Sequence, residues 1–288
     1  MTALRKTWHT AKLASTLAAC VAAFEANAAY TCSIAVTAIS TVYSPTVATP
    51  NDSTGSYTMN CTRTGGSDAT MNYTLRANNG NQPNGNTNRV QFGGAANRYN
   101  YELYRDAGFS QEWRNTGATD IAGTLNFGGS ATASFTGPFY LRVPGSQPVD
   151  PAGNYTDTVT VSLNPEGGGN TATANLNVSV VTTNSCQIYT PPGNVNFTYT
   201  SFQVAAAAAS TSFGTRCTTA LPYTMALDAT SGTLLGLNYT LALSTPSATG
   251  TGVVQAHSIN GTIAGGQAGT CAVASCVGSQ TRTLTISW

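Results

Sequence analysis

Two pairs of cysteines with nearly the same spacing, Cys32 with Cys61 and Cys186 with Cys217, constrain this chain more than any other feature. They stand 29 and 31 residues apart, and other pieces follow them in the same order. Cys32 opens CSIAVTAISTVY and Cys186 opens CQIYTPPGNVNFTY; the pairs close in YTMNCTRT and TSFGTRCTT; MNYTLRA and PYTMALDA come next. Further on, YNYELYRD (99–106) matches GLNYTLALS (236–244), and GNYTDTVTVSL (153–163) matches the closing SQTRTLTISW. Self-similarity of this kind predicts two copies of one unit in tandem, 29–183 and 184–288, joined near residues 183–185.

Whether the cysteines are bridged depends on the compartment. Residues 1–28 read as an export signal: Arg5, Lys6 and Lys12 precede the apolar run LASTLAACVAAF, too short to span a bilayer, and ANA forms a small-x-small cleavage site. LAAC, ending at Cys20, is similar to a lipoprotein signal, but the apolar run continues past the cysteine. Six cysteines then remain in an exported chain, and their spacing predicts three disulfides, Cys32–Cys61, Cys186–Cys217 and Cys271–Cys276. A zinc site would want CxxC pairs or histidine partners, and the mature chain holds one histidine, His257. No metal or other cofactor is expected.

Of the 12 basic and 11 acidic residues, Arg5, Lys6, Lys12 and Glu25 fall in the signal, which leaves nine arginines, no lysine and ten acids. There is no basic stripe for nucleic acid or an anionic membrane. The low charge, the abundance of Thr, Asn, Gly and Ser, and the lack of helical periodicity predict an all-β secreted protein.

Cys32 to Cys61, YELYRD, Trp113 shortly after it, YLRVP and GNYTDTVTV in copy one resemble the spore coat protein U domain family. Copy two, with LNYTLAL, INGTIAGGQAGTC and TRTLTISW, is similar to a more divergent member. The resemblance covers nearly the whole mature chain. It implies immunoglobulin-like β-sandwiches like those of archaic, Csu-type chaperone–usher pilins, which lack their last strand and are completed by a segment from a neighbouring subunit.

The copies differ in a way that bears on this expectation. Copy one continues through NPEGGGN (164–170) into a closing strand, 171–181, with Ala172, Ala174, Leu176, Val178 and Val180 on one face. Copy two ends on Leu284, Ile286 and Trp288, alternating with Thr283, Thr285 and Ser287, with no further strand to cover them. Those three residues are the expected edge of a strand-acceptor groove, since an uncovered sheet edge is an aggregation hazard unless another chain fills it. Only three residues separate the expected cleavage from Cys32, too few for a donor strand of about 10–15 residues. The expectation is a two-domain tip adhesin, the second sandwich lacking its last strand. Its partners would be a periplasmic chaperone, an outer-membrane usher, an adjacent pilin and a host or abiotic surface, and it would be exported to the pilus tip for attachment and biofilm formation.

No catalytic constellation stands out. His257 in AHSING is the only possible general base of the mature chain, no cysteine is left as a nucleophile, and Asp106 with Glu112 or Asp150 with Asp157 have arginines nearby. Binding is therefore expected from loops of copy one: 77–88 with Asn81 and Asn84, 106–123 with Phe109 as the exposed apolar residue, and the turn 164–170 with Glu166, placed by strand parity at the end away from copy two. The segment 144–153 falls toward the linker by the same parity, and Trp113 is expected to pack. The alternatives are an outer-membrane β-barrel, suggested by the terminal aromatic, and a solitary secreted carbohydrate-binding protein.

Overall fold

The alternation of apolar and polar residues in both copies becomes strand over most of its length. The computed structural model describes residues 29–65, 68–93 and 96–288; the expected signal, with its LAAC stretch, lies outside them. The first ten strands are β1 (Tyr30–Val36), β2 (Ile39–Tyr43), β3 (Asn51–Arg63), β4 (Thr70–Ala77), β5 (Asn88–Gln91), β6 (Arg98–Tyr104), β7 (Ile121–Asn126), β8 (Thr132–Val143), β9 (Gly153–Pro165) and β10 (Ala172–Thr182). One layer runs β1-β3-β8-β6 and the facing layer runs β7-β4-β9-β10-β2, with β5 pairing to both β6 and β9 where the sheet curls over. Tyr57, Met59, Leu75, Tyr99, Tyr101, Leu103, Trp113, Phe139 and Val161 fill the space between them.

A second sandwich with its own core follows. Its strands are β11 (Cys186–Thr190), β12 (Ala207–Cys217), β13 (Pro222–Leu227), β14 (Ser231–Leu234), β15 (Leu237–Leu243), β16 (Ser247–Thr249), β17 (Val254–Ile263) and β18 (Leu284–Ser287). Five of them form one sheet, β11-β12-β17-β15-β14, and three form the other, β16-β13-β18. Phe213, Leu221, Tyr223, Met225, Tyr239, Leu241, Ile259 and Ile263 make its core. The barrel alternative fails on this architecture, which is two filled sandwiches and not one closed sheet.

Disulfides join Cys32 to Cys61, Cys186 to Cys217 and Cys271 to Cys276. The first two each tie the opening strand of a sandwich to its neighbour at matching register, Cys32 opposite Cys61 on β1 and β3 and Cys186 opposite Cys217 on β11 and β12. On the chain-entropy account each such loop stabilises its sandwich by about 3–4 kcal/mol. Between the sandwiches, the segment 144–153 leans on the second: Val149 O accepts from Thr219 N at 3.3 Å and Thr219 Oγ1 at 2.8 Å, and Gln147 O accepts from Arg216 Nη2 at 3.3 Å.

Candidate functional site

The two sandwiches differ most where each should close. In the first, β10 runs antiparallel to β9, Leu176 opposite Val159, and parallel to β2, Val178 opposite Ile39. Both of its edges are therefore hydrogen-bonded. Leu176, Val178 and Val180 are fully buried, Ala172 and Ala174 half-buried, and β9 keeps Tyr155, Val159, Val161 and Leu163 out of water as well.

In the second sandwich β18 holds the place of β9, but it pairs with β13 alone, Leu284 opposite Leu227 and Ile286 opposite Met225. Among the described residues no strand lies along its other edge. Leu284 and Ile286 are only half-buried, and Trp288 just beyond is 57% exposed. Ile188 and Tyr189 at the end of β11, which approaches β18, are exposed as well, Tyr189 at 56%.

The opposite wall of this gap went unread in the sequence. Val195, Phe197 and Tyr199 alternate toward the core as Ile39, Thr41 and Tyr43 do on β2, and a Cβ on Gly261 would meet Phe197 at 2.4 Å and Val195 at 2.9 Å. The match of CSIAVTAISTVY to CQIYTPPGNVNFTY, tyrosine on tyrosine, already held the signal. Residues 191–200 nevertheless carry no ladder. The reason is that β2 is a strand only because β10 lies beside it; its counterpart has the same side-chain pattern with nothing to pair to among the described residues. One sandwich therefore shows an edge, a floor and a strand filling them, and the other shows the edge and the floor.

The loop residues expected to bind are not brought together. Glu166 is exposed at the end of the first sandwich away from the second, in a cleft with Tyr30, Asp68 and Asn72. The 77–88 loop lies instead along the flank. Asn81 N donates to Asp157 Oδ1 at 2.7 Å, midway along β9, and Asn84 exchanges backbone hydrogen bonds with Thr87. Gly80 approaches so closely that a Cβ there would sit 1.9 Å from Asp157 Oδ2. Phe109, expected to be the exposed apolar residue of its loop, is half-buried on the outer face: the Arg142 guanidinium stacks 3.9 Å above its ring, Tyr104 and Tyr140 meet it edge-on, and Asp52 holds Arg142 by two hydrogen bonds. Its φ of +52° comes from a turn in which Asp106 accepts from Ser110 N and Gln111 N. Trp113 is buried, and its Nε1 donates to Leu75 O at 2.9 Å.

Under the same loop, burial pushes the Glu102 carboxyl up to about 7, and Glu112 adds to the effect against the opposing pull of Arg114 and Thr87. Arg114 lies 3.6 Å from Glu102 but 2.6 Å from Glu112. An acid whose folded pKa is raised favours folding at low pH and loses that contribution as pH rises through the folded value. The first sandwich should therefore gain stability as pH falls from 8 to 6, and Glu102→Gln should flatten that rise; melting curves of both forms at the two pH values check it, and an unaltered rise would clear Glu102.

His257 does not face solvent. It lies in the second core with Nε2 3.0 Å from Thr215 Oγ1 and 3.1 Å from Tyr223 OH, and burial lowers its pKa. Both hydroxyls meet Nε2, while Nδ1 is buried without a hydrogen-bond partner among the described residues. Among the described residues, no group of three or more His, Cys, Asp or Glu could hold a metal ion.

The family described as Spore Coat Protein U domain matches residues 16–162 and 172–250. Among solved structures, the chain is similar to one in the crystal structure of the CsuC–CsuE chaperone–tip adhesion subunit pre-assembly complex from archaic chaperone–usher Csu pili of Acinetobacter baumannii, with 17% identity, 89% of this chain and 100% of that chain covered, and a TM-score of 0.50. At that identity the likeness is one of fold, the immunoglobulin-like sandwich of pilus subunits. The CupB6 tip adhesin of Pseudomonas aeruginosa follows at 12% identity, with 91% and 96% covered and a TM-score of 0.36. No curated protein sequence matches the chain.

Proposed function

The chain belongs to the spore coat protein U domain family, and on that footing we propose that it is a tip adhesin subunit of an archaic chaperone–usher pilus. The observation that carries this reading is the contrast between the sandwiches: β10 closes the first by pairing to β9 and β2, while β18 and the stretch 194–199 leave the same position open in the second. A subunit with one closed and one open sandwich accepts a strand from a neighbour through the second and presents the first outward. The likeness to the Csu chain, crystallised with its chaperone, supports a periplasmic chaperone as the first occupant of the gap and an adjacent pilin as the last. Passage through an outer-membrane usher to the cell surface, attachment by non-covalent loop contacts and biofilm formation follow from the same reading. The second sandwich is then a folding-incomplete connector and the first a binding head, with no catalytic step assigned to either.

Immunogold labelling of isolated fibres with antibody against the first sandwich tests the assignment. Label at one end of each fibre is expected, together with loss of cell retention when the chain is deleted and the shaft still assembles. Label spaced along the shaft would make the chain a shaft subunit, and release of the free protein without fibres would favour a solitary secreted binder.

A further inference from the structure

The junction inside this chain shows how a second body sits on a closed sandwich. β10 leaves the first sandwich at Thr182, and the second is met within three residues, Ser185 N donating to Thr218 Oγ1 at 2.9 Å. The corner that receives it is built from the turn after β2 and the start of the β8–β9 segment. Ser146 N donates to Val47 O at 3.1 Å, a Cβ on Gly145 would fall 2.0 Å from Ala48 O, and Ser146 takes a φ of +58°. Gln147 O and Val149 O, next in the chain, are the acceptors that contact Arg216 and Thr219.

The second sandwich builds the same corner, and among the described residues no second body sits on it. Gly266 N donates to Gln203 O at 2.7 Å, a Cβ on Gly265 would fall 2.1 Å from Val204 O, and Gly266 takes a φ of +80°. The turn is stitched down further by Phe202 N on Gln267 O and Ser201 Oγ on Ala268 O, and Thr270 N on Leu235 O extends the platform. What it displays is apolar: Phe202 is 69% exposed and Val204 97%, and Leu235, whose carbonyl accepts from Thr270 N, is exposed too. Phe202 is held at a φ of +61°, a conformation that persists in a bulky residue only where its surroundings fix it. An apolar cluster presented on a rigid turn marks an interaction surface.

Strand direction says what comes there. β18 runs from Leu284, opposite Leu227, to Ser287, opposite Thr224, so its last residues point toward the first sandwich. A strand laid antiparallel to it, as β10 is to β9, enters at the junction and leaves at the opposite pole, where Ala207 faces Ile263 and the 200–204 turn is found. We propose that the corner formed by Phe202, Val204 and the 264–270 segment is the seat for the globular body of the subunit that donates the strand, a β-sandwich docked by the pole beside its first cysteine pair. This rests on the strand-acceptor reading above and adds a second contact to it.

The test uses hydroxyl-radical labelling of the mature full chain in three states: alone, with a synthetic peptide of the adjacent pilin's N-terminal segment, and with that intact pilin. Amide exchange across Leu284–Ser287 is followed in parallel. Peptide and pilin are both expected to protect Leu284–Ser287, while labelling of Phe202 and Val204 falls at least about threefold with the intact pilin only. Protection of Leu284–Ser287 with unchanged Phe202 labelling overturns the seat and leaves the acceptor groove standing. No protection of Leu284–Ser287 in either complex overturns both. Shielding of Phe202 in the chain alone, rising with its concentration, assigns the corner to a second copy and also overturns the proposal.

Discussion

Placing a carboxylate on the buried face of the closing strand should unfold the first sandwich. Val178 is fully buried between β9 and β2, and Val178→Asp puts an uncompensated charge where neither water nor a partner reaches it. Such a change costs about 4–5 kcal/mol, which consumes most of the roughly 5–15 kcal/mol that holds a domain folded. The same residue type one step off the buried face is the control: Asn175 is exposed, and Asn175→Asp should shift stability by less than about 0.5 kcal/mol. Thermal unfolding with two resolved transitions reads the difference. Loss of the first transition in Val178→Asp alone shows that β10 completes the fold; equal behaviour of the two variants would show that it merely lies against a finished sandwich.

Asp157→Ala should have the next largest effect, and for a different reason. Asp157 is buried and accepts three hydrogen bonds, from Tyr101 OH at 2.7 Å, Asn81 N at 2.7 Å and Thr158 N at 2.8 Å. Removing the carboxylate strands three donors, and the buried phenol among them has no water to turn to; each unsatisfied group costs about 1–3 kcal/mol. A total of about 3–5 kcal/mol corresponds to a fall of roughly 10 °C in the first transition for a sandwich of this size. Tyr101→Phe in the same background should recover part of the loss, because deleting both partners leaves less unpaired than deleting one. The 77–88 loop should also lose exchange protection at Asn81. A small change in melting with the loop still protected would mean that the loop is held by its own turns and not by Asp157.

The open edge was legible in the sequence because alternation survives burial. Leu176, Val178 and Val180 face one way in any extended strand, and Leu284 and Ile286 do the same. What alternation cannot state is pairing. That β10 lies parallel to β2 depends on contacts between residues about 140 positions apart, and nothing local in Ile39–Tyr43 marks it. The counterpart Val195, Phe197 and Tyr199 was missed for the same reason. The half-buried setting of Phe109 depends on topology: between Cys61 and Tyr140 the chain makes β4 to β7, a crossing loop and most of β8, and their order decides that this loop folds back over Arg142 and Tyr140. Glu166 was placed at the far end correctly because only the direction of β10 was needed.

In the proposed function the second sandwich lacks one strand and takes it from another chain. Calorimetric unfolding of the mature chain, alone and with a peptide from the N-terminus of the adjacent pilin, decides whether it does. Four or five alternating side chains entering the gap contribute on the order of 10 kcal/mol before the entropy of ordering them is subtracted. The expected result is a second transition that is weak or absent in the chain alone and becomes cooperative and much hotter with the peptide, while the first transition does not move. A second transition that is already cooperative and is unchanged by the peptide would contradict the claim.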